Sequence, residues 1–239
     1  GLGGEKEDVV SYAKRLADQG YTVAVPDCVG HGESRTEQPL NFFDVMQQTA
    51  AGCIRILEYY QNSEYGDPSR FSMVGISMGG MIALYSAAYS ERQPEAVVSV
   101  CGTADWESIL GDDEIYINFV DGGMQPMGEE SEKDALIVSL VQNSPDQNLA
   151  YLLQTPILMI NGDADETIPI SGVKSFIAKA GLYPNQLEWI IEEERGHEVG
   201  AGDVDETIDF FAKYMPATEP VSGEENQNGT GETENEAGE

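Results

Sequence analysis

The chain has 239 residues, 41% of them hydrophobic, and carries 43 Asp and Glu against 12 Lys and Arg, a formal net charge of −31 at pH 7. Such a charge argues against nucleic acid and anionic membrane surfaces as partners, because both are held through clustered Lys and Arg. No apolar run approaches the roughly 18 residues needed to cross a bilayer, and three cysteines without paired spacing (Cys28, Cys53 and Cys101) point away from a disulfide framework or a cysteine-rich metal centre. A reducing, cytoplasmic setting is the mild expectation.

In chain order, strand-like and helix-like segments alternate. Asp8 to Gln19 places Val9, Tyr12, Ala13, Leu16 and Ala17 at helical spacing, and Gly20 suits the C-terminal cap. Tyr21 to Val25 is a short β-rich run stopped by Pro26-Asp27. Asn41 to Tyr60 reads as a long helix with Phe42, Val45, Met46, Ile54 and Leu57 on its inner face. Strands follow at Arg70 to Ile76, Ala96 to Cys101, Pro156 to Asn161 and Leu187 to Glu192. Helices are predicted at Met78 to Tyr89, Ile170 to Ala180 and Asp203 to Tyr214. This alternation predicts a mostly parallel sheet covered on both faces, an α/β fold, over residues 1–215.

Two stretches depart from the rhythm. Residues 103–154 hold no strand pattern, only helical patches at Trp106 to Phe119 and Glu132 to Val141, and an insertion of this length between core strands predicts a cap or lid. Residues 216–239 contain seven Glu and no Lys or Arg, and are expected to be a disordered acidic tail. Without those seven Glu the net charge is still −24, so the folded part is acidic in its own right.

The strongest chemical signal is Gly75-Ile76-Ser77-Met78-Gly79, followed by Gly80. A predicted strand precedes it and a predicted helix follows. That is the setting in which a sharp turn exposes a serine hydroxyl at a helix N-terminus, beside the Met78 N–H and the positive end of the helix dipole. A nucleophilic serine needs a base and an orienting acid. Only His31 and His197 offer imidazole, and His197 alone lies downstream of Ser77, on a loop after the last predicted strand. His31, in Gly30-His31-Gly32-Glu33-Ser34, is expected to fix its own loop. For the acid, Asp163, Asp165 and Glu166 compete after the strand ending at Asn161, and Asp165, past the glycine turn and before Ile168-Pro169, is favoured.

These motifs, with the opening Gly1-Leu2-Gly3-Gly4 and Pro26-Asp27, resemble the α/β-hydrolase superfamily over roughly residues 1–214. Within it the chain is similar to small bacterial esterases and to serine-aminopeptidase-like and dienelactone-hydrolase-like groups. The resemblance implies catalytic Ser77, Asp165 and His197, an oxyanion hole formed by the Met78 N–H and the Leu2 N–H, and no metal or organic cofactor. It also implies a strand before Gly1, absent from this sequence, so the natural protein is expected to be longer at its N-terminus.

The reaction expected is hydrolysis of short, neutral carboxylic esters through an acyl-enzyme, since the chain's charge repels anionic substrates. Trp106, Ile109, Tyr116, Phe119 and Met124 either line the substrate pocket or form the insertion's own small core. Two rivals stand beside it. One is an aminopeptidase or amidase using the same three residues, with Asp112, Asp113 and Glu114 available to a substrate amine. The other is a non-catalytic binding protein of this fold.

Overall fold

The structure, a computed structural model, describes residues 4–37, 40–60, 67–110 and 130–217. Its centre is a sheet of four parallel strands in sequence order: β1 (Met73–Ile76), β2 (Val97–Val100), β3 (Ile157–Gly162) and β4 (Leu187–Glu192). The strands are in step. Met73 pairs with Val97, Val97 with Ile157 and Ile157 with Leu187, so their carboxyl ends finish along one edge. The loops that leave this edge carry the residues singled out above.

The helices are α1 (Val10–Ala17), α2 (Phe42–Tyr60), α3 (Met78–Tyr89), the short α4 (Glu107–Leu110), α5 (Glu130–Gln142), the short α6 (Leu149–Leu152), α7 (Ile170–Ala180) and α8 (Asp203–Tyr214). Alternation along the strands sorts the core onto two faces. Val97, Ile157, Met159 and Leu187 pack with Ala83, Leu84 and Ala87 of α3 and Val173 and Phe176 of α7. Val98, Val100, Leu158 and Ile160 point the other way, onto Leu16 of α1 and Phe210 and Phe211 of α8. Both β2 and β3 are buried throughout, as their nearly continuous apolar sequences suit, with Ser99 and Asn161 as the polar exceptions. Each fully buried Leu, Ile or Phe contributes about 1.5–3 kcal/mol of transfer free energy.

A third cluster joins the base of the insertion to the body. Tyr85 and Trp106 stack, Phe43 meets both rings edge-on, and Leu136 and Leu140 of α5 share this cluster with Met78 and Ile168. Polar ties fix the same region. The Trp106 N–H donates to Ser144 Oγ at 2.9 Å, the Asp146 N–H donates to the Ala104 carbonyl at 3.1 Å, and Lys179 bridges the buried carboxylates of Asp105 and Asp146 at 3.1 and 2.5 Å. The described ends of the insertion are therefore clamped to the sheet's helices. Residues 111–129, which include much of the predicted Trp106–Phe119 helix, lie outside the described residues, as does the acidic tail beyond Ala217.

One predicted strand is not in the sheet. Tyr21 to Val25 is extended, and its odd-numbered residues alternate inward with the even-numbered ones outward, yet no ladder joins it to β1. A cleft of about 680 Å³ lies between the two, lined by Tyr21 to Cys28 on one wall and Phe71 to Ile76 on the other. The two backbones are not paired, so the period-two signal is realised as packing alone. Tyr21 and Val23 lie against the same cluster as Leu16 and Phe211. Ile54 and Leu57, predicted to face the core, line this cleft and are only half-buried.

Candidate active site

Ser77 follows β1 directly and precedes α3. Its φ of 57° and ψ of −120° lie outside the regions that L-residues ordinarily occupy. The strain is over-determined by the surroundings. The Ser77 N–H donates to the Val100 carbonyl at 2.8 Å and the Ser77 carbonyl accepts from the Met81 N–H at 3.1 Å, so β2 and the first turn of α3 hold the residue from both sides. Two of the neighbouring glycines make the turn sterically possible. A Cβ on Gly75 would lie 2.0 Å from the Gly79 carbonyl oxygen, and one on Gly80 would lie 2.6 Å from Ser99 Oγ. A Cβ on Gly79 would meet nothing within 4 Å. The close approach therefore belongs to Gly75 and Gly80.

Asp165 lies three residues past β3, and its side chain is fully buried. One carboxylate oxygen, Oδ1, accepts the N–H groups of Thr167 and Ile168, each at 2.8 Å. The other, Oδ2, is 2.8 Å from His197 Nδ1. On the far side of the ring, His197 Nε2 is 2.8 Å from Ser77 Oγ. The three predicted side chains thus form one hydrogen-bonded series across the carboxyl edge of the sheet. Asp163 points elsewhere: it is exposed and accepts the Glu194 N–H at 2.7 Å. His31 is buried in its own loop, with Nδ1 3.1 Å from the Val29 carbonyl.

The loops that bring Asp165 and His197 together are sewn to one another. The Asp163 N–H donates to the Glu192 carbonyl and the Ala164 N–H to the Arg195 carbonyl, both at 3.0 Å. Arg195 itself is buried, at 5% exposure, and sits two residues before His197. Its Nη1 donates to Asp203 Oδ1 at 2.9 Å, its Nη2 donates to Asp203 Oδ2, and its Nε donates to the Glu198 carbonyl at 2.9 Å. Asp203 is 1% exposed and begins α8. An ion pair between a loop and a helix end gives no sequence pattern, so this support was not visible before the fold.

Cys101 also reaches the site. Its thiol is buried beside Asp165 and His197, and burial, reinforced by the negative charges of Asp165 and Asp203, pushes its pKa up to about 11. Cys101 Sγ, an Asp165 carboxylate oxygen and a His197 ring nitrogen all lie within 4.8 Å of one another.

Of the other predicted residues, Met78 is where expected, as the first residue of α3 and 1% exposed. Trp106 is also 1% exposed, stacked on Tyr85 at 5.7 Å between ring centroids. Its ring therefore belongs to the cluster that joins the insertion to the body. Ile109 is in α4, and Leu2, Tyr116, Phe119 and Met124 lie outside the described residues, as do Asp112, Asp113 and Glu114.

A parallel sheet with a serine on a strained strand-to-helix turn at its carboxyl edge is the architecture of the α/β-hydrolases. The chain is similar to the α/β-hydrolase GrgF from Penicillium sp. sh18, at TM-score 0.65 and 18% identity over 90% of this chain and 88% of that one. It is also similar to TT1662 from Thermus thermophilus, at TM-score 0.66 and 19% identity over 90% and 85% of the two chains. The candidate esterase YitV of Bacillus subtilis is 23% identical over 224 residues, 90% of this chain and 87% of YitV. Residues 8–217 match the model of the prolyl oligopeptidase family, peptidase S9, and the chain belongs to that family. It is a serine hydrolase of the α/β-hydrolase fold.

Proposed function

We propose that the protein hydrolyses short, neutral carboxylic esters through an acyl-enzyme on Ser77. The observation that carries this reading is the unbroken series from Ser77 Oγ through His197 to Asp165, with 2.8 Å at each of the two links. Asp165 holds the proton on His197 Nδ1, which leaves Nε2 free to accept the proton of Ser77 as Oγ attacks the acyl carbonyl. The same nitrogen returns the proton to the departing alcohol. Water then enters by the mirror-image sequence and releases the acid. Negative charge on the tetrahedral oxygen meets the Met78 N–H at the start of α3, joined by the Leu2 N–H.

The choice of substrate rests on two supports. YitV bears an esterase name. The net charge of −31 lowers the local concentration of anionic substrates. A second reading, peptide or amide hydrolysis with the same three side chains, is favoured by the family to which residues 8–217 belong. Steady-state turnover of a p-nitrophenyl acetate series and of aminoacyl p-nitroanilides separates the two. The ester reading predicts a kcat/KM at least about tenfold higher on the short esters, lost in Ser77→Ala. Faster turnover of the anilides, lost in the same variant, establishes the peptidase instead.

A further inference from the structure

The imidazole of His197 has a neighbour that the proposed hydrolysis does not use. Cys101 follows β2 in a left-handed conformation, φ 52°, and is 1% exposed. Its thiol donates to the Glu198 carbonyl, at 3.2 Å from Sγ. Among the described residues, Cys101, Asp165 and His197 form the one group of three or more metal-ligating side chains whose ligand atoms come within 4.8 Å of one another.

We propose that these three side chains form a binding site for a soft divalent cation, zinc or cadmium, whose occupation switches the hydrolase off. The inhibitory consequence rests on the reading of His197 as the base.

Thiolate, imidazole and carboxylate are the ligand types that zinc takes in proteins. Zinc–ligand bonds of about 2.0–2.3 Å put tetrahedral ligands roughly 3.3–3.8 Å apart. The longest separation therefore needs to close by no more than about 1.5 Å, through a rotation of the Cys101 side chain, with a small opening of the 2.8 Å Asp165–His197 contact. A thiolate and a carboxylate together balance the charge of a dication. The nearest cation, the Arg195 guanidinium, has Nη2 3.9 Å from Sγ and is already paired with Asp203. A quarter of the His197 side chain is exposed, which gives the ion an approach.

The nitrogen offered is Nδ1, because Nε2 faces Ser77. Three bonds form, to Sγ, Nδ1 and an Asp165 oxygen. The thiol proton leaves to water, and the single proton of the neutral imidazole moves from Nδ1 to Nε2. In that tautomer Nε2 donates to Ser77 Oγ and cannot accept its proton. The ion thus removes the base without covering the serine.

The test uses the whole chain with Cys28 and Cys53 replaced by Ser, so that Cys101 is the sole thiol. Cadmium is titrated against the ultraviolet cadmium–thiolate absorbance, and zinc against p-nitrophenyl acetate hydrolysis. The proposal predicts a thiolate band that saturates at one equivalent of cadmium, inhibition by zinc reversed by EDTA, and, after a further Cys101→Ser, loss of the band and a half-inhibiting zinc concentration raised by about tenfold or more. No band in the protein that retains Cys101 overturns the site without needing the third substitution. So does zinc inhibition of equal strength with and without Cys101. The band reports binding independently of turnover, so a protein that binds cadmium through Cys101 but does not turn over p-nitrophenyl acetate contradicts the ester reading and leaves the site standing.

Discussion

The backbone of Gly162, at the end of β3, runs against the carbonyl of Arg195: a Cβ at position 162 would sit 2.0 Å from that oxygen. This contact sets the spacing between the loop that carries Asp165 and the loop that carries His197. In Gly162→Ala one of the two loops must move. A displacement on the order of 1 Å is enough to lower a rate by about 10²-fold. We expect kcat on a short ester to fall by about that factor, with KM changed much less. Gly79→Ala is the control, since its Cβ meets nothing within 4 Å. Thermal melts alongside the kinetics show whether the loss is one of geometry or of folding.

Asp165 and Asp163 are two residues apart and have opposite predicted fates. Asp165→Asn presents an amide to His197 Nδ1 and favours the wrong imidazole tautomer, so kcat should drop by roughly 10⁴-fold. Asp163→Asn still accepts the Glu194 N–H through its amide oxygen and should leave kcat within about twofold of the parent. Equal losses in the two variants would show that the acid has been misassigned.

The Arg195–Asp203 pair should matter first for stability. Both side chains are buried, and removing Asp203 leaves Arg195 with only the half-exposed Glu192 carboxylate, 3.1 Å from Nη1. Asp203→Ala is expected to cost about 3–5 kcal/mol, read from urea denaturation. Because Arg195 also donates to the Glu198 carbonyl, the loop bearing His197 loosens with it, and labelling of Ser77 should slow under conditions where the variant remains folded.

Tyr12 gives the fold an alkaline limit. Burial, with the nearby Asp203 charge, pushes its pKa from 10.0 up to about 12. Its hydroxyl donates to the Asp203 carbonyl at 3.1 Å and shares a 2.5 Å contact with Thr207 Oγ1. A group whose pKa is raised on folding contributes fully below its unfolded pKa, and that contribution is lost as pH rises towards the folded value. The unfolding free energy should therefore fall between pH 10 and 12, by at most roughly 3 kcal/mol from this residue. Tyr12→Phe should be less stable at pH 8 but show a shallower decline over that interval.

Much of this was legible in the sequence because it is local. The helices Met78–Tyr89, Ile170–Ala180 and Asp203–Tyr214, and the strand Leu187–Glu192, occur where spacing placed them. The three side chains now in series were named from motif and chain order alone. What escaped depends on contacts distant in sequence. Tyr21–Val25 has the alternation of a strand, but pairing requires a neighbour, and a cleft stands there. The sequence leaves Trp106 open between a pocket and a core, and only its packing against Tyr85 and Phe43 places it in a core. Arg195 and Cys101 carry no signal of their own, since the partners that give them meaning arrive from α8 and from the loops after β3 and β4.

If His197 activates Ser77, the serine must react covalently with a probe for activated serines, and do so at full rate only with the imidazole in place. The protein and its Ser77→Ala and His197→Ala variants are incubated with a fluorophosphonate, and the adduct is mapped by mass spectrometry. A single adduct on Ser77 is expected, absent from Ser77→Ala and formed far more slowly in His197→Ala. An adduct on another residue, or labelling of Ser77 at an undiminished rate without His197, would contradict it.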